Sequence, residues 1–146
     1  MKIAICGSIN KSDELIKIAN ELEKLGFEAE LPYWTKRIRN GDITLEEFCN
    51  SKEKHGDAAF RKEAQEDLYK RYWRIIGESD AILVVNVDKS GIKNYIGGNA
   101  LMEIGFAYIQ NKKIFLLNDI PDIPYYKDEI IAAKPIILEG DLTKIL

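Results

Sequence analysis

Short apolar runs alternate with stretches of helical periodicity along most of the chain, and this alternation restricts the fold more than any other feature. The predicted strands are Lys2–Cys6, Phe27–Leu31, Ala81–Asn86, Lys113–Leu117 and Pro135–Leu138. Strands that alternate with helices are typical of an α/β domain with a mainly parallel sheet. We therefore expect one domain over residues 1–146, a flavodoxin-like or Rossmann-like three-layer sandwich with five parallel strands in the order 2-1-3-4-5.

Helix signals occupy the intervals between these strands. Apolar residues recur on one face of residues 13–25, and Gly26 is placed to end that helix. The pattern of Thr44–Glu47 is that of a capping box, which would open a short helix. A longer helix is predicted over residues 57–77, and a more apolar one over residues 100–110.

Composition and charge limit the kinds of partner that this chain can bind. An apolar share of 46% and a charged share of 31% are ordinary for a globular domain. The net charge of −3 offers no basis for binding duplex DNA or an anionic membrane. We therefore expect neither partner, and we expect any phosphate to be bound locally, by backbone amides or a few side chains.

The cysteines, the histidine and the first residues bear on cofactors and compartment. One histidine and two separated cysteines cannot form a recognisable zinc or iron–sulfur site, so we predict no metal and no cofactor. Cys6 lies in an apolar run and is expected to be a small buried side chain. The start MKIAICGSI does not resemble a signal peptide, and no segment has the length of a membrane span. We expect a cytoplasmic protein.

Several polar and aromatic residues follow the predicted strands, where a ligand site is expected. Open parallel sheets bind ligands beyond the carboxyl ends of their strands, at the point where the strand order reverses. The candidates there are Gly7, Ser8, Tyr33, Trp34, Asn86, Asp88 and Asn118. The aromatic pair could stack on a nucleobase or cover the core. The Asn and Asp side chains could hydrogen-bond a ribose or serve turns, so both interpretations stay open from the residues alone.

Glu103 is the only formally charged residue between Asn94 and Asn111. The helix around it is apolar on nearly every side, which predicts a buried helix. A carboxylate there must find partners or face a pocket, since burying it unpaired is costly, and burial would raise its pKa. Asn99 is placed to cap the helix, which would set Glu103 about one turn in, at the expected cleft. The pattern fits equally well a catalytic glutamate and a buried one that is hydrogen-bonded to a backbone amide or a neighbouring tyrosine.

Two glycines and an asparagine, Gly97-Gly98-Asn99, precede this glutamate. Such a turn at the start of a helix lets a ligand approach the backbone and offers amides to a phosphate or a sugar hydroxyl, although a Gly-Gly pair is more often only a turn. The sequence contains neither G-x-G-x-x-G nor G-x-x-x-x-G-K-[ST]. This absence disfavours a dinucleotide oxidoreductase and a P-loop enzyme.

Together these segments resemble the nucleoside 2-deoxyribosyltransferase superfamily, which includes nucleotide N-glycoside hydrolases. The resemblance covers most of the chain, through MKIAICGSI, the strand from Gly26 to Pro32, and Ser79–Val85. Its most specific part is GNALMEIGFA at Gly98–Ala107, followed by the lysine-led strand Lys112–Leu116. The resemblance implies that Glu103 attacks C1′ of the sugar as the nucleophile of a retaining glycosidase.

The sequence departs from the family pattern beside Glu103. Gly97 and Tyr72 stand where deoxyribosyltransferases carry acidic residues, and the glycine-rich loop has no serine where the nucleotide hydrolases bind phosphate. We propose Asn94, Tyr95 and Asn99 as substitutes from their position. The resemblance also implies a homodimer or larger homo-oligomer, with Tyr125-Tyr126 and residues 36–56 as candidate contacts.

Other functions remain open on the same fold. A non-catalytic nucleotide-binding or sensing module would bind its ligand without turnover. A phosphoribohydrolase like those that activate cytokinins also pairs a Gly-Gly turn with a glutamate, but its longer threonine-bearing loop is missing here. An electron-transfer flavodoxin would need an FMN phosphate loop, which the sequence does not show.

Overall fold

A parallel five-stranded sheet forms the centre of the computed structural model, which describes residues 1–51 and 67–145. Its strands are β1 (Lys2–Cys6), β2 (Glu28–Glu30), β3 (Ala81–Val84), β4 (Lys113–Leu116) and β5 (Ile136–Ile137). Their order is β2-β1-β3-β4-β5, and every neighbouring pair is parallel. The predicted α/β fold and strand order are therefore confirmed.

Helices flank the sheet. They are α1 (Ser12–Lys24), α2 (Tyr33–Arg39), α3 (residues 45–51), α4 (Leu68–Gly77), α5 (Gly98–Ile109) and α6 (Lys127–Ala132). Short 3-10 turns occupy Ile9–Lys11 and Leu142–Lys144. Within the described residues, no helix combines the length and the apolar character that crossing a membrane requires.

The two faces of the sheet pack against different helices. Leu15, Ile18 and Leu22 of α1 share a core with inward residues of β1 and β3. On the opposite face, α4 and α5 contribute Tyr72, Ile76, Ile104 and Ala107 to a second core. Because side chains alternate along a strand, Cys6 at the end of β1 lies on the α4 and α5 side.

The register brings the carboxyl ends of the central strands level with one another. Cys6 of β1 pairs with Val84 of β3, which pairs in turn with Leu116 of β4. All four residues of β3 are buried, as expected for a central parallel strand covered on both faces. The segments that follow β1 and β3 therefore emerge side by side, where the strand order reverses.

Helix α5 differs from the sequence prediction in its start and its burial. Gly97 is the N-cap residue in an extended conformation, so the predicted cap at Asn99 is wrong and Asn99 lies inside the first turn. The Asn99 side chain instead accepts a hydrogen bond of 2.9 Å from the Tyr69 hydroxyl. The helix is also not buried all round, because Met102, Tyr108 and Ile109 are 44%, 49% and 69% exposed.

Three other helix predictions can be compared with the structure. Gly26, with φ of 89°, follows α1 where a helix stop was expected. The amide of Glu47 donates to Thr44 Oγ1 at 3.1 Å at the start of α3, as a capping interaction. The prediction of one uninterrupted helix over residues 57–77 is wrong, because Asp67 is extended and its carboxylate caps the start of α4. Residues 57–66 of that predicted helix lie outside the described part of the chain.

Two helices were not predicted. Helix α2 begins directly after Pro32, in a stretch for which no helix was predicted, and α6 lies between β4 and β5. Both are short, at 7 and 6 residues, so neither has enough turns to show a clear helical period.

Candidate functional site

A cavity of about 410 Å³ opens beyond the carboxyl ends of β1 and β3. Its volume is within the range of small-molecule sites. The lining residues that the sequence predicted are Gly7, Ser8, Trp34, Tyr95, Gly97, Gly98, Asn99 and Glu103. Those it did not predict are Ile9, Asn10, Pro32, Phe48, Leu68, Lys89 and Ala100.

Glu103 lies in the second turn of α5, half-buried against the floor of this cavity. Burial raises the pKa of its carboxyl group to about 8, and a hydrogen bond from the Cys6 thiol opposes that rise. The carboxyl group is therefore largely protonated at neutral pH in the ligand-free chain. A bound cation or hydrogen-bond donor would favour its ionised form.

Cys6 and Tyr72 form the surroundings of Glu103 on the sheet side. Cys6 is fully buried, and its pKa is raised by burial and then by the neighbouring Glu103. The Tyr72 hydroxyl donates a hydrogen bond to the backbone oxygen of Ile5, and its pKa is raised by burial and by nearby acidic groups, Cys6 and Glu103 among them. Tyr72 thus adds a neutral group beside the carboxyl of Glu103.

Lys89 also lines the cavity. Its Nζ atom donates to Ser8 Oγ at 2.8 Å and lies 5.2 Å from the centre of the Tyr95 ring. A Cβ atom on Gly97 would come within 3.2 Å of that ring, so the missing side chain makes room for Tyr95. Lys89 belongs to the loop that the sequence placed at the cleft, and its position beside Asp88 was the signal that could have identified it.

An apolar wall lies elsewhere in the cavity, formed by Pro32, Trp34, Phe48 and Leu68. The ring centres of Trp34 and Phe48 are 5.7 Å apart, and both side chains are buried. Phe48 and Leu68 come from helices far apart in the sequence, and no motif connects them. Sequence reasoning could not find them, since an apolar helical residue is first of all a core residue.

Tyr33 does not line the cavity, although its neighbour Trp34 does. It packs edge-on against Trp34 with ring centres 5.0 Å apart, and the Arg71 guanidinium lies 4.8 Å from the centre of its ring. Tyr33 therefore packs against Trp34, a residue of the apolar wall.

Asn86 and Asn118 hydrogen-bond to each other's loops and are not part of the cavity lining. The buried Asn86 amide donates to the backbone oxygens of Asn118 at 3.0 Å and Asp119 at 2.9 Å. Asn86 Oδ1 accepts from the Asn118 amide at 2.9 Å, and Asn118 Nδ2 donates to the Asn86 carbonyl at 3.0 Å. The pair joins the ends of β3 and β4.

Asp88 and Asn94 form a turn at the edge of the site. The Asp88 carboxylate accepts a hydrogen bond of 2.9 Å from the Asn94 amide, and Asn94 has φ of 55°. Neither residue lines the cavity, but their turn holds the loop from which Lys89 and Tyr95 reach it.

Comparisons with protein-family models, with curated proteins and with solved structures found no match for this chain. The resemblance to the nucleoside 2-deoxyribosyltransferase superfamily therefore rests on the residues quoted from the sequence and stays a prediction.

Proposed function

We propose that this chain cleaves or transfers the N-glycosidic bond of a (deoxy)nucleoside or a nucleoside 5′-monophosphate, with Glu103 as the nucleophile. The observation that carries the proposal is the position of Glu103. It is a carboxylate that lines a cavity at the strand-order reversal, and a glycine-rich turn and the apolar wall line the same cavity. This combination fits a sugar placed between a nucleobase and a nucleophile.

The reaction has two steps. An ionised Glu103 oxygen attacks C1′, the C1′–N bond breaks, and its electron pair leaves with the base, which takes a proton from solvent. Water then attacks C1′ of the glycosyl ester, the bond from C1′ to the Glu103 oxygen breaks to restore the carboxylate, and the water proton passes to solvent. Alternatively a second base attacks C1′, loses its proton to solvent and makes a new nucleoside. Hydrolysis and transfer differ only in this acceptor.

One observation favours the second candidate, a nucleotide-binding module without turnover. The pKa of Glu103 is about 8, and a protonated carboxyl group is a poor nucleophile but a good hydrogen-bond donor to a ligand. Under this alternative Glu103 binds the ligand in its neutral form, and no base is released during long incubation.

The deciding experiment is a screen of nucleosides and nucleoside 5′-monophosphates for release of free base, followed by chromatography. Glu103→Gln keeps the shape of the side chain but removes the nucleophile, so turnover should fall by about a thousandfold or more. Glu78→Gln is the matched control, because Glu78 is exposed after α4, next to the start of β3 at the opposite edge of the sheet. Full activity in Glu103→Gln would rule out the proposed role. Adding a second base to the assay distinguishes transfer from hydrolysis.

A homodimer through the outer face of α5 is part of the proposal. Met102, Gly105 and Tyr108 lie on one face at helical spacing, beside an apolar groove that α6 helps to line. In an antiparallel pair of α5 helices centred on Gly105, Met102 of each copy meets Tyr108 of the other. Of the two tyrosines named as candidate contacts, Tyr125 is 88% exposed. The Tyr126 hydroxyl donates a hydrogen bond of 2.5 Å to the backbone oxygen of Ile96.

Light scattering after size exclusion tests this arrangement. Ile109→Asp places a charge at the exposed end of α5 and should yield monomers, whereas Leu25→Asp alters a similarly apolar exposed position near the end of α1 and should not. A monomeric parent chain would contradict the dimer.

The free thiols of Cys6 and Cys49 suit a reducing compartment, and we propose that the protein acts in the cytoplasm.

A further inference from the structure

We infer that Asn10 and Asn99 make the site prefer an oxo base, such as uracil or hypoxanthine, over its amino counterpart, cytosine or adenine. The inference rests on the proposed function and specifies its substrate class. Both residues line the cavity. Asn10 was not predicted from the sequence, and Asn99 was proposed from its position without any ligand atom assigned to it.

The first argument is which atoms of the two carboxamides are already used. Asn99 Oδ1 accepts a hydrogen bond of 2.9 Å from the Tyr69 hydroxyl. Asn10 Oδ1 accepts one of 3.7 Å from the Cys49 thiol. Neither Nδ2 atom has a hydrogen-bond partner among the described residues. Because a donor of the protein holds each oxygen, each carboxamide faces the cavity with N–H groups that are still able to donate.

The second argument is where the two holding groups lie. Cys49 directly follows Phe48, a residue of the apolar wall. Tyr69 likewise directly follows Leu68 of the same wall. Cys49 and Leu68 also pack against the buried pair of Trp34 and Phe48. Both carboxamides are therefore held at the margin of the surface that suits the faces of a nucleobase, where the polar edge of the base would meet them.

The exocyclic group of the base decides whether these N–H groups find acceptors. A carbonyl oxygen of uracil or hypoxanthine accepts from an amide N–H, whereas the amino group of cytosine or adenine is itself a donor at that place. Two donors that face each other leave both without a partner once water is excluded. A carboxamide could turn round to accept from the amino group, but the contacts from Tyr69 and Cys49 oppose that rotation.

The test compares kcat/KM within two pairs, uridine with cytidine and inosine with adenosine, each as the ribonucleoside, the deoxynucleoside and the 5′-monophosphate. We expect the parent chain to favour the oxo member by about 10- to 100-fold in at least one pair, the usual effect of leaving a buried donor unpaired. Because the two bases of a pair also differ as leaving groups, the decisive quantity is the change of this ratio in the variants.

The variants exchange donors for acceptors. Asn99→Asp keeps the oxygen that Tyr69 contacts and replaces the N–H groups by a second oxygen, so the oxo-to-amino ratio should fall by about 10- to 100-fold. Asn10→Asp should lower it in the same way. A general loss of activity from the added charge would affect both members of a pair and leave their ratio unchanged.

Asn20→Asp is the matched control, because Asn20 Oδ1 also accepts a side-chain hydrogen bond, of 2.7 Å from Arg39. Asn20 lies on α1 and does not line the cavity, so this variant should keep the ratio of the parent chain. A fall in the ratio in either cavity variant supports the inference. A ratio unchanged in both, or a parent preference for the amino member of both pairs, overturns it.

The failure of this inference and the failure of the proposed function can be told apart. Base release with a ratio that neither cavity variant alters overturns the base preference and leaves the N-glycosidase intact. If no compound is turned over, the proposed function fails, and the base preference is then judged by calorimetry with the same pairs. Tighter binding of an oxo member that Asn99→Asp abolishes supports it. Equal affinity within both pairs, or no binding at all, overturns it.

Discussion

Two groups of polar residues at the same edge of the sheet have different surroundings. Asn86 and Asn118 use their side chains to hydrogen-bond each other's loops after β3 and β4. Glu103 and Lys89 instead line the cavity near the ends of β1 and β3. Position at the carboxyl end of a strand therefore does not by itself bring a side chain to the cavity. The difference follows from the strand order, which reverses between β1 and β3 and not between β3 and β4.

Replacing Asn86, whose side-chain amide is buried, should change the free energy of unfolding at neutral pH more than replacing Glu103. Asn86→Ala leaves the Asn118 amide and the carbonyls of Asn118 and Asp119 without their side-chain partner. We expect the free energy of unfolding to fall by about 1–3 kcal/mol, since several partly buried groups lose hydrogen bonds. Urea denaturation measures the change. A loss below about 0.5 kcal/mol would mean that the hydrogen bonds between Asn86 and the loop after β4 do not stabilise the fold.

Replacing the Glu103 carboxylate should instead increase the free energy of unfolding. The raised pKa of Glu103 means that the folded chain holds a proton that the unfolded chain releases between about pH 4.5 and pH 8. Ionised Glu103 therefore lowers stability progressively as pH rises through this window. Glu103→Gln removes that loss and should be more stable than the parent chain by about 1–3 kcal/mol at pH 9, with little difference at pH 4.5. A stability difference that is the same at both pH values would contradict this account.

The smallest expected effect is a shift in the pH profile of kcat/KM when Cys6 is replaced. If Glu103 is the nucleophile, kcat/KM should rise with pH through about 8, as the carboxyl group ionises. The Cys6 thiol hydrogen bond lowers this pKa, so Cys6→Ala should move the rise in kcat/KM to higher pH. Cys6→Ser keeps a donor and should move it less. An unchanged pH profile in Cys6→Ala would show that the thiol does not influence the carboxylate.

Much of the sheet could be predicted because its strands are buried on both faces. Continuous apolar runs such as Ala81–Val84 carry that signal locally, and the parallel order follows from the helices between the strands. Helices α2 and α6 escaped prediction because they are too short for a periodic pattern. The start of α5 was misplaced because an asparagine is a common cap, whereas the backbone of Gly97 begins the helix without any side-chain hydrogen bond.

The candidate site was predictable only in part. Glu103 was identified because a single charge in an apolar helix is unusual wherever the helix lies. Candidates on position alone were Asp88, Asn94, Asn86 and Asn118. They do not line the cavity, and they make hydrogen bonds within and between loops. Lys89 was missed because a lysine in a polar loop is ordinarily solvated.

The sequence by itself determined the α/β fold, the strand order and the unusual carboxylate, because burial and helical period are recorded in neighbouring residues. Only the tertiary structure decided which polar groups meet in the cavity. That choice depends on how loops far apart in the chain come together and which hydrogen bonds they use among themselves. Lys89 meets Ser8 across 81 positions, and no local pattern specifies that contact.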